Sequence, residues 1–468
     1  MFDFEFDNFE DPADEERVNA LVASYEHQQG AGFFDSDALE DIATYYYERG
    51  RYEEALGAID RMIAQQPASS DPWMRRGILL STLGRHDEAL HAYEEALALN
   101  PTDTDTLINK GITLDNLGES EAALEAYATA QQFDPLNAEL HFNRAVTLER
   151  TNRTEEAVEA FERCAELAPE HPEVWYELGF CYDRLGQDAR SVSCYDRHID
   201  EAPYSHDAWY NRGIVLNRMG KYADAIDSYD MALAIEEDFA SAHYNKGNAL
   251  ANLGRLEEAI ESYQQVLELE GGDASTFYNI ALAHEELGQH DRASHFFQHA
   301  LRENDLYAEA WYGLGCCYDA QDNVSEALHC FGRAVEIREN VPEFWYAKAD
   351  CEYNAGYIED AIASYGMVVR LDQANRQAWI DFADTLYEAH RPEDALASYR
   401  KAVSIDPDDA SAYVQQARAL YALGRSDESI RSLQTAFRLD PRTKEKLRQS
   451  FPDLYRDIRI RSELGLDQ

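Results

Sequence analysis

The chain has 468 residues, and its 90 acidic side chains against 41 basic ones give it a formal net charge of −49. This charge makes nucleic acid a poor partner, because a polyanion would be repelled by the surface that has to hold it. No stretch of 18 apolar residues occurs and no basic residues precede an apolar stretch at the start, so we expect no membrane span, no secretion and a cytoplasmic location.

Residues 1–12 alternate phenylalanine with acidic side chains, and we expect a flexible tail there. Such a tail serves either as a short motif that docks on a partner or only as a solubilising extension. Residues 13–35 then place four large side chains at helical spacing, namely Val18, Leu21, Val22 and Tyr25. This spacing predicts an N-terminal capping helix followed by a loop.

Residues 36–443 consist of twelve repeats of 34 residues without one insertion or deletion. Positions 8 and 20 of the repeat always hold a small residue, and position 24 is always large and apolar. The six tryptophans all fall at position 4; they are Trp73, Trp175, Trp209, Trp311, Trp345 and Trp379. A fixed period of this length is typical of solenoids, in which each repeat packs against its neighbours.

Within each repeat the apolar positions recur every three or four residues, which predicts helices and not strands. Position 15 is commonly glycine, which can close a helix, and position 32 is proline in seven repeats, which stops the next helix. Each repeat is therefore predicted to form two antiparallel helices. In residues 444–468, large apolar side chains and Pro452 predict C-terminal capping helices with a break at the proline.

These positions resemble the consensus of the tetratricopeptide repeat family. One repeat carries the family pattern with a single substitution, in Trp175, Leu178, Gly179, Tyr182, Ser191, Tyr195 and Pro203. The resemblance implies an all-α fold, an α-solenoid of helix-turn-helix repeats forming a right-handed superhelix with capping helices at both ends. It also implies a concave groove lined by the first helix of each repeat.

The acidic charge has two interpretations. It reflects adaptation to a concentrated-salt cytoplasm, where ions screen repulsion among carboxylates, or it attracts a basic partner. Acidic residues are spread over all repeats, which favours a general solvated surface. Residues 1–35 carry ten acids against Arg17 alone, whereas basic residues are frequent from Arg442 onward, so head-to-tail self-association stays open as a less favoured alternative.

The candidate binding site is a ladder of tyrosines at position 5 of six successive repeats: Tyr176, Tyr210, Tyr244, Tyr278, Tyr312 and Tyr346. Position 6 adds asparagines in five repeats: Asn109, Asn143, Asn211, Asn245 and Asn279. The family resemblance implies that position 5 faces the groove, where tyrosine rings and asparagine amides suit an extended peptide. The competing interpretation is that these tyrosines only pack between neighbouring helices.

Position 2 is mostly acidic and position 5 has no lysine, so the clamp by which some family members hold a C-terminal carboxylate is not expected. We expect protein partners that offer neutral or basic peptide segments. The seven cysteines are interpreted as buried thiols, since no CxxC motif occurs. His295 and His299 have a metal-binding spacing, but this spacing also arises by chance on surfaces, and we expect no metal and no cofactor.

No nucleophile motif, phosphate-binding loop or paired-carboxylate cleft can be assembled from the sequence, so we expect a protein that is not an enzyme. The sequence predicts a scaffold or adaptor that binds extended or helical segments of partner proteins in the groove. The alternative is a regulatory or targeting arm of a multi-component enzyme complex whose catalytic subunit is supplied in trans. A metal-buffering or redox role for histidine and cysteine is a third interpretation.

Overall fold

The computed structural model describes residues 12–27 and 32–464, and every regular element within them is an α-helix. The chain divides into two compact units, one ending at Glu237 and the other beginning at Asp238, and each is described by itself. The predicted N-terminal tail lies outside the described residues, except for Pro12, where the first helix begins.

The described helices of the first unit are α1 (Pro12–His27), α2 (Ser36–Glu48), α3 (Tyr52–Gln65), α4 (Ser70–Thr82), α5 (His86–Leu99), α6 (Thr104–Asn116), α7 (Ser120–Phe133), α8 (Ala138–Arg150), α9 (Thr154–Leu167), α10 (Val174–Arg184), α11 (Asp188–Glu201), α12 (His206–Arg218) and α13 (Tyr222–Ile235). Those of the second unit are α14 (Ala240–Asn252), α15 (Leu256–Glu270), α16 (Ala274–Glu286), α17 (His290–Glu303), α18 (Ala308–Ala320), α19 (Val324–Ile337), α20 (Pro342–Asn354), α21 (Ile358–Leu371), α22 (Arg376–Glu388), α23 (Pro392–Ile405), α24 (Ala410–Ala422), α25 (Ser426–Leu439), α26 (Thr443–Ser450), α27 (Pro452–Arg456) and α28 (Ile458–Leu464).

From α2 to α25 the helices form consecutive pairs, one pair for each 34-residue repeat. The predicted all-α stack of helix pairs is therefore confirmed, with six pairs in each unit. The first helix of a pair carries positions 1–13 of the repeat, except α10, which begins at position 3, and the second helix begins at position 17. In the part of the chain that the structure describes, no helix combines the length and the apolar character that crossing a bilayer needs.

A left-handed residue at position 15 closes the first helix of each pair. Between α4 and α5, Gly84 has φ = +72°, and its N–H donates to the carbonyl of Ser81 at 2.9 Å. The next N–H, that of Arg85, donates to the carbonyl of Leu80 at 2.8 Å. These two bonds satisfy carbonyls that the end of α4 leaves free. Glycine suits this position because it has no Cβ to oppose a positive φ.

Three repeats lack glycine at position 15, and their residues Asn152, Asp322 and His390 still adopt positive φ. We expect His390→Gly to raise the free energy of unfolding by up to about 1 kcal/mol, because it removes backbone strain at φ 58°. Urea unfolding followed by circular dichroism measures this change. Asn152→Gly should give a smaller gain, since asparagine tolerates the left-handed region better than histidine. A His390→Gly protein no more stable than the parent would contradict this account.

The small residue at position 8 lies directly against the large ring at position 24. A Cβ added to Gly77 would lie 2.4 Å from the Tyr93 ring, and one added to Gly213 would lie 2.5 Å from the Tyr229 ring. Both rings are fully buried. Glycine inside a helix costs about 1 kcal/mol relative to alanine, so this close approach is the physical reason for its presence.

In five of the repeats that carry tryptophan at position 4, its indole N–H donates to a backbone carbonyl in the turn before the repeat. Trp175 Nε1 donates to the carbonyl of Pro169 at 2.8 Å, six residues earlier. The same bond forms where position 32 is not proline. Trp311 Nε1 donates to the backbone carbonyl of Asp305 at 2.9 Å. The turns before Trp311, Trp345 and Trp379, which lack proline, are therefore held by the same bond as the proline turns before Trp175 and Trp209.

Apolar side chains cover both ends of the repeat array. In the first unit, Val18 and Val22 of α1 are buried in one cluster with Leu39 of α2. In the second unit, Leu447 and Ile460 are buried together with residues of α24 and α25. These contacts remove from water the apolar surface that a terminal repeat would otherwise expose.

Candidate functional site

The six tyrosines at position 5 lie on the first helices of their repeats and are half-buried. In the first unit the Tyr176 ring contacts the ring of Tyr195, with centroids 5.9 Å apart. In the second unit Tyr244 contacts Tyr263 at 5.8 Å. The remaining four rings also contact the position-24 ring of their own repeats; they are Tyr210, Tyr278, Tyr312 and Tyr346. Each ring is thus used partly in packing and remains partly accessible.

In some neighbouring repeats, the tyrosine at position 5 of one repeat accepts a hydrogen bond from the asparagine at position 6 of the next. In the first unit, Asn211 Nδ2 donates to Tyr176 Oη at 3.0 Å. In the second unit, Asn279 Nδ2 donates to Tyr244 Oη at the same distance. The structure therefore brings these tyrosines and asparagines of the predicted site together.

Other asparagines of the predicted site are used differently. Asn109 and Asn143 donate to backbone carbonyls of their own helices, at 2.9 and 2.8 Å. No tyrosine precedes them at position 5 of the repeat before, so a partner hydroxyl is missing. Asn245 is half-buried like the others. Asparagine at position 6 alone is thus not enough to form the tyrosine–asparagine contact.

Acidic side chains line the same helix faces in the first unit. Glu177 occupies position 6 of its repeat, where burial together with the charges of Glu149 and Glu173 raises its pKa to about 7. The acidic residues at position 2 of this region, Glu173 and Asp207, are exposed. A carboxyl held among other carboxylates would gain stability from a nearby cation, so this face is electrostatically suited to a basic group.

Position 9 contributes carboxylates to the second unit that the sequence reasoning missed. The hydroxyl groups of Tyr365 and Tyr399, at position 24, donate to Asp350 and Asp384 respectively. Burial raises the pKa of both aspartates above the ordinary value. Their spacing was the available signal, because position 9 follows position 5 by four residues and shares its helix face.

Position 12 was also missed, although it follows position 5 by seven residues and therefore lies on the same helix face. Tyr353 occupies this position in α20, and its hydroxyl donates to Glu388 at 2.7 Å. Tyr387 occupies it in α22. Positions 5, 9 and 12 therefore form one continuous face on each of these helices.

Six of the seven cysteines are buried, and the two histidines with metal-binding spacing lie side by side. The seven cysteines are free, and burial raises the pKa of Cys164, for example, to about 12. The rings of His295 and His299 are 4.6 Å apart. Within the described ranges, however, no group of three or more histidine, cysteine, aspartate or glutamate side chains is placed to hold a metal ion.

The stacked helix pairs define an α-solenoid built from 34-residue repeats. Tetratricopeptide repeat family models match residues 40–104, 108–172, 148–206, 206–239, 240–273, 274–305, 308–341 and 386–447. The chain belongs to the tetratricopeptide repeat family, a class of scaffold folds typical of protein–protein interaction and generally non-catalytic. No curated protein sequence matches the chain.

Several solved structures are similar to parts of the chain. YrrB, described as a tetratricopeptide repeat protein with an unusual peptide-binding site, shares 26% identity over 40% of this chain and 96% of its own, with a TM-score of 0.36. MamA from Desulfovibrio magneticus RS-1 shares 24% identity over 36% and 95%, with a TM-score of 0.35. The Cut9–Hcn1 complex shares 14% identity over 87% and 94%, with a TM-score of 0.40.

Proposed function

We propose that this protein is a non-enzymatic scaffold or adaptor that binds an extended or helical segment of a partner protein along the first helices of its repeats. The observation that carries the proposal is the link between successive repeats at positions 5 and 6. Tyr176 joins Asn211 in the first unit, and Tyr244 joins Asn279 in the second. Partly accessible rings and amides are thus presented at the spacing of the repeat.

The hydrogen bonds within the ladder leave groups for a ligand. Asn279 uses Nδ2 for Tyr244, so its Oδ1 is available to accept from a peptide N–H, and the tyrosine hydroxyl hydrogen is available to donate. The ring edges add apolar contact at a small entropic cost. Carboxylates such as Glu177 and Asp350 on the same faces favour a neutral or basic segment.

We further propose that the protein works in the cytoplasm. Its seven cysteines are free thiols, and a reducing compartment keeps thiols in this state. Cys316 is only half-buried, but its surroundings still raise the pKa of its thiol to about 11, so the thiol is protonated at neutral pH. Protonated thiols react slowly with oxidants.

Affinity capture with two matched variants tests the binding face. Asn211→Lys combined with Asn279→Lys places a bulky cation within the ladder of each unit. The control combines Gln132→Lys and Gln264→Lys, which make the same charge change at exposed positions on the second helices α7 and α15. Circular dichroism and thermal unfolding establish that both variants are folded.

We expect the ladder variant to lose at least 90% of the partner protein that the parent recovers, and the control variant to recover it fully. The reason is that a lysine at position 6 both blocks the peptide path and repels a basic segment. Equal recovery by the ladder variant and the parent would show that the partner binds elsewhere.

A further inference from the structure

An arginine of this chain already binds to the face formed by positions 5, 9 and 12 in the second unit. The guanidinium carbon of Arg418, at position 9 of its repeat, lies 3.8 Å from the centre of the Tyr387 ring. Arg418 Nη1 lies 3.8 Å from Oδ1 of Asp384. The hydroxyl of Tyr399 donates to the same carboxylate and fixes its position. A ring at position 12 and a carboxylate at position 9 thus hold the guanidinium, and the hydroxyl at position 24 holds the carboxylate. The Phe451 ring, 5.1 Å from the guanidinium carbon, adds a contact that the preceding repeat lacks, because Ala417 stands at the corresponding position.

The same three groups occur one repeat earlier without an arginine. Tyr353, Asp350 and Tyr365 precede Tyr387, Asp384 and Tyr399 by 34 residues each. The hydroxyl of Tyr365 donates to Asp350, as Tyr399 does to Asp384. The residue that corresponds to Arg418 is Asp384, which is itself acidic. In residues 12–27 and 32–464, no basic side chain forms an ion pair with Asp350.

We propose that Tyr353 and Asp350 form a subsite for an arginine side chain of the partner segment. This proposal rests on the proposed function and specifies one residue of its ligand. The guanidinium would stack on the Tyr353 ring and face the Asp350 carboxylate, as Arg418 does on Tyr387 and Asp384. In the repeat of Tyr387 and Asp384, an arginine of the chain itself occupies the site. The preceding repeat, with Tyr353 and Asp350, leaves the equivalent site for a ligand.

The surrounding charges favour an arginine over other occupants. Asp384 stands where Arg418 stands one repeat later, and Glu388 accepts from the Tyr353 hydroxyl at 2.7 Å. The charges of Asp381 and Asp319 act on Asp350 in the same direction as burial, raising its pKa. A shared metal ion is a poor alternative, since no three carboxylates of the described residues are placed to hold one. Lysine fits less well, because its compact charge does not stack as a planar guanidinium does.

Peptide display with the full-length protein tests the subsite. A library of random nonapeptides is selected against the parent, Asp350→Asn, Tyr353→Ala and the control Asp360→Asn. Asp360 is exposed on α21 of the same repeat, so its substitution makes the same charge change away from the proposed subsite. The readout is the frequency of arginine at each peptide position.

We expect peptides selected by the parent and by Asp360→Asn to share an arginine at one position. Asp350→Asn and Tyr353→Ala should lose this preference. Replacing that arginine by citrulline, which has the same shape without the charge, should weaken binding to the parent about 10-fold and to Asp350→Asn less than 2-fold. Peptides selected without an arginine preference would overturn the subsite while leaving the binding face intact. If the parent selects no peptide at all, the proposed function itself is overturned.

Arg418→Ala gives a test by gain of binding. This substitution removes the arginine of the chain from Tyr387 and Asp384 and so opens a second site of the same kind. Peptides selected against this variant should show a second arginine preference in addition to the first. A folded Arg418→Ala protein that selects the same single-arginine peptides as the parent would contradict the equivalence of the two sites.

Discussion

Lys348→Met is expected to lower the free energy of unfolding of the second unit by about 3 kcal/mol. Lys348 Nζ lies 2.6 Å from Glu352 Oε1, and the Glu352 side chain is only 6% exposed. The hydroxyl of Ser364 donates to the other carboxylate oxygen at 2.7 Å. Removing the lysine would leave a buried carboxylate without its counter-charge, which costs far more than the ion pair contributes. Urea unfolding of the full chain, followed by circular dichroism, measures the loss.

A double substitution separates this cause from a general packing defect. Glu352 occupies position 11, where seven other repeats carry leucine: Leu80, Leu114, Leu148, Leu216, Leu250, Leu386 and Leu420. Lys348→Met combined with Glu352→Leu should therefore return the stability to within about 1 kcal/mol of the parent, or exceed it. If the single and double variants are equally unstable, the buried charge is not the cause.

Gly247→Ala is expected to destabilise the second unit by about 2 kcal/mol. A Cβ at this position would lie 2.6 Å from the ring of Tyr263, which is fully buried. The ring would have to move, and its hydroxyl would then lose the 2.8 Å hydrogen bond to Asn248. This cost exceeds the gain of about 1 kcal/mol that alanine brings to a helix interior. Thermal unfolding and urea unfolding both measure the difference.

Gly332→Ala is the matched control for that prediction. Gly332 also lies inside a helix, α19, but an added Cβ would meet no atom within 4 Å. Alanine should therefore stabilise the protein here by up to about 1 kcal/mol through helix propensity alone. The two substitutions are chemically identical and are expected to act in opposite directions. Equal effects of the same sign would show that the ring contact at Gly247 is unimportant.

The helix pairs could be predicted from the sequence because twelve copies of the repeat show the same residue types at the packed positions. The small residue at position 8 and the large one at position 24 indicate a close contact, as the Gly77–Tyr93 approach illustrates. The left-handed conformation of His390 was harder to predict, because histidine adopts a positive φ less readily than glycine and only its place at position 15 of the repeat indicates the turn. There the tertiary packing of the pair decides the turn and overrides the local preference.

The candidate site was only partly predictable for a related reason. Tyrosine at position 5 and asparagine at position 6 were visible as repeated residue types, but their contact across adjacent repeats depends on how the helices stack. Positions 9 and 12 vary in residue type from one repeat to the next, so residues such as Asp350 and Tyr353 did not stand out as a pattern. Only the shared helix face reveals that they belong to the same surface.

Site-specific photo-crosslinking tests most directly whether partners bind the first helices of the repeats. A benzophenone amino acid replaces Tyr244 on α14 in one variant and Gln264 on α15 in another, and each is irradiated with the partner recovered by affinity capture. We predict a crosslinked product from position 244 and none above background from position 264. A product from position 264 with none from position 244 would contradict the account.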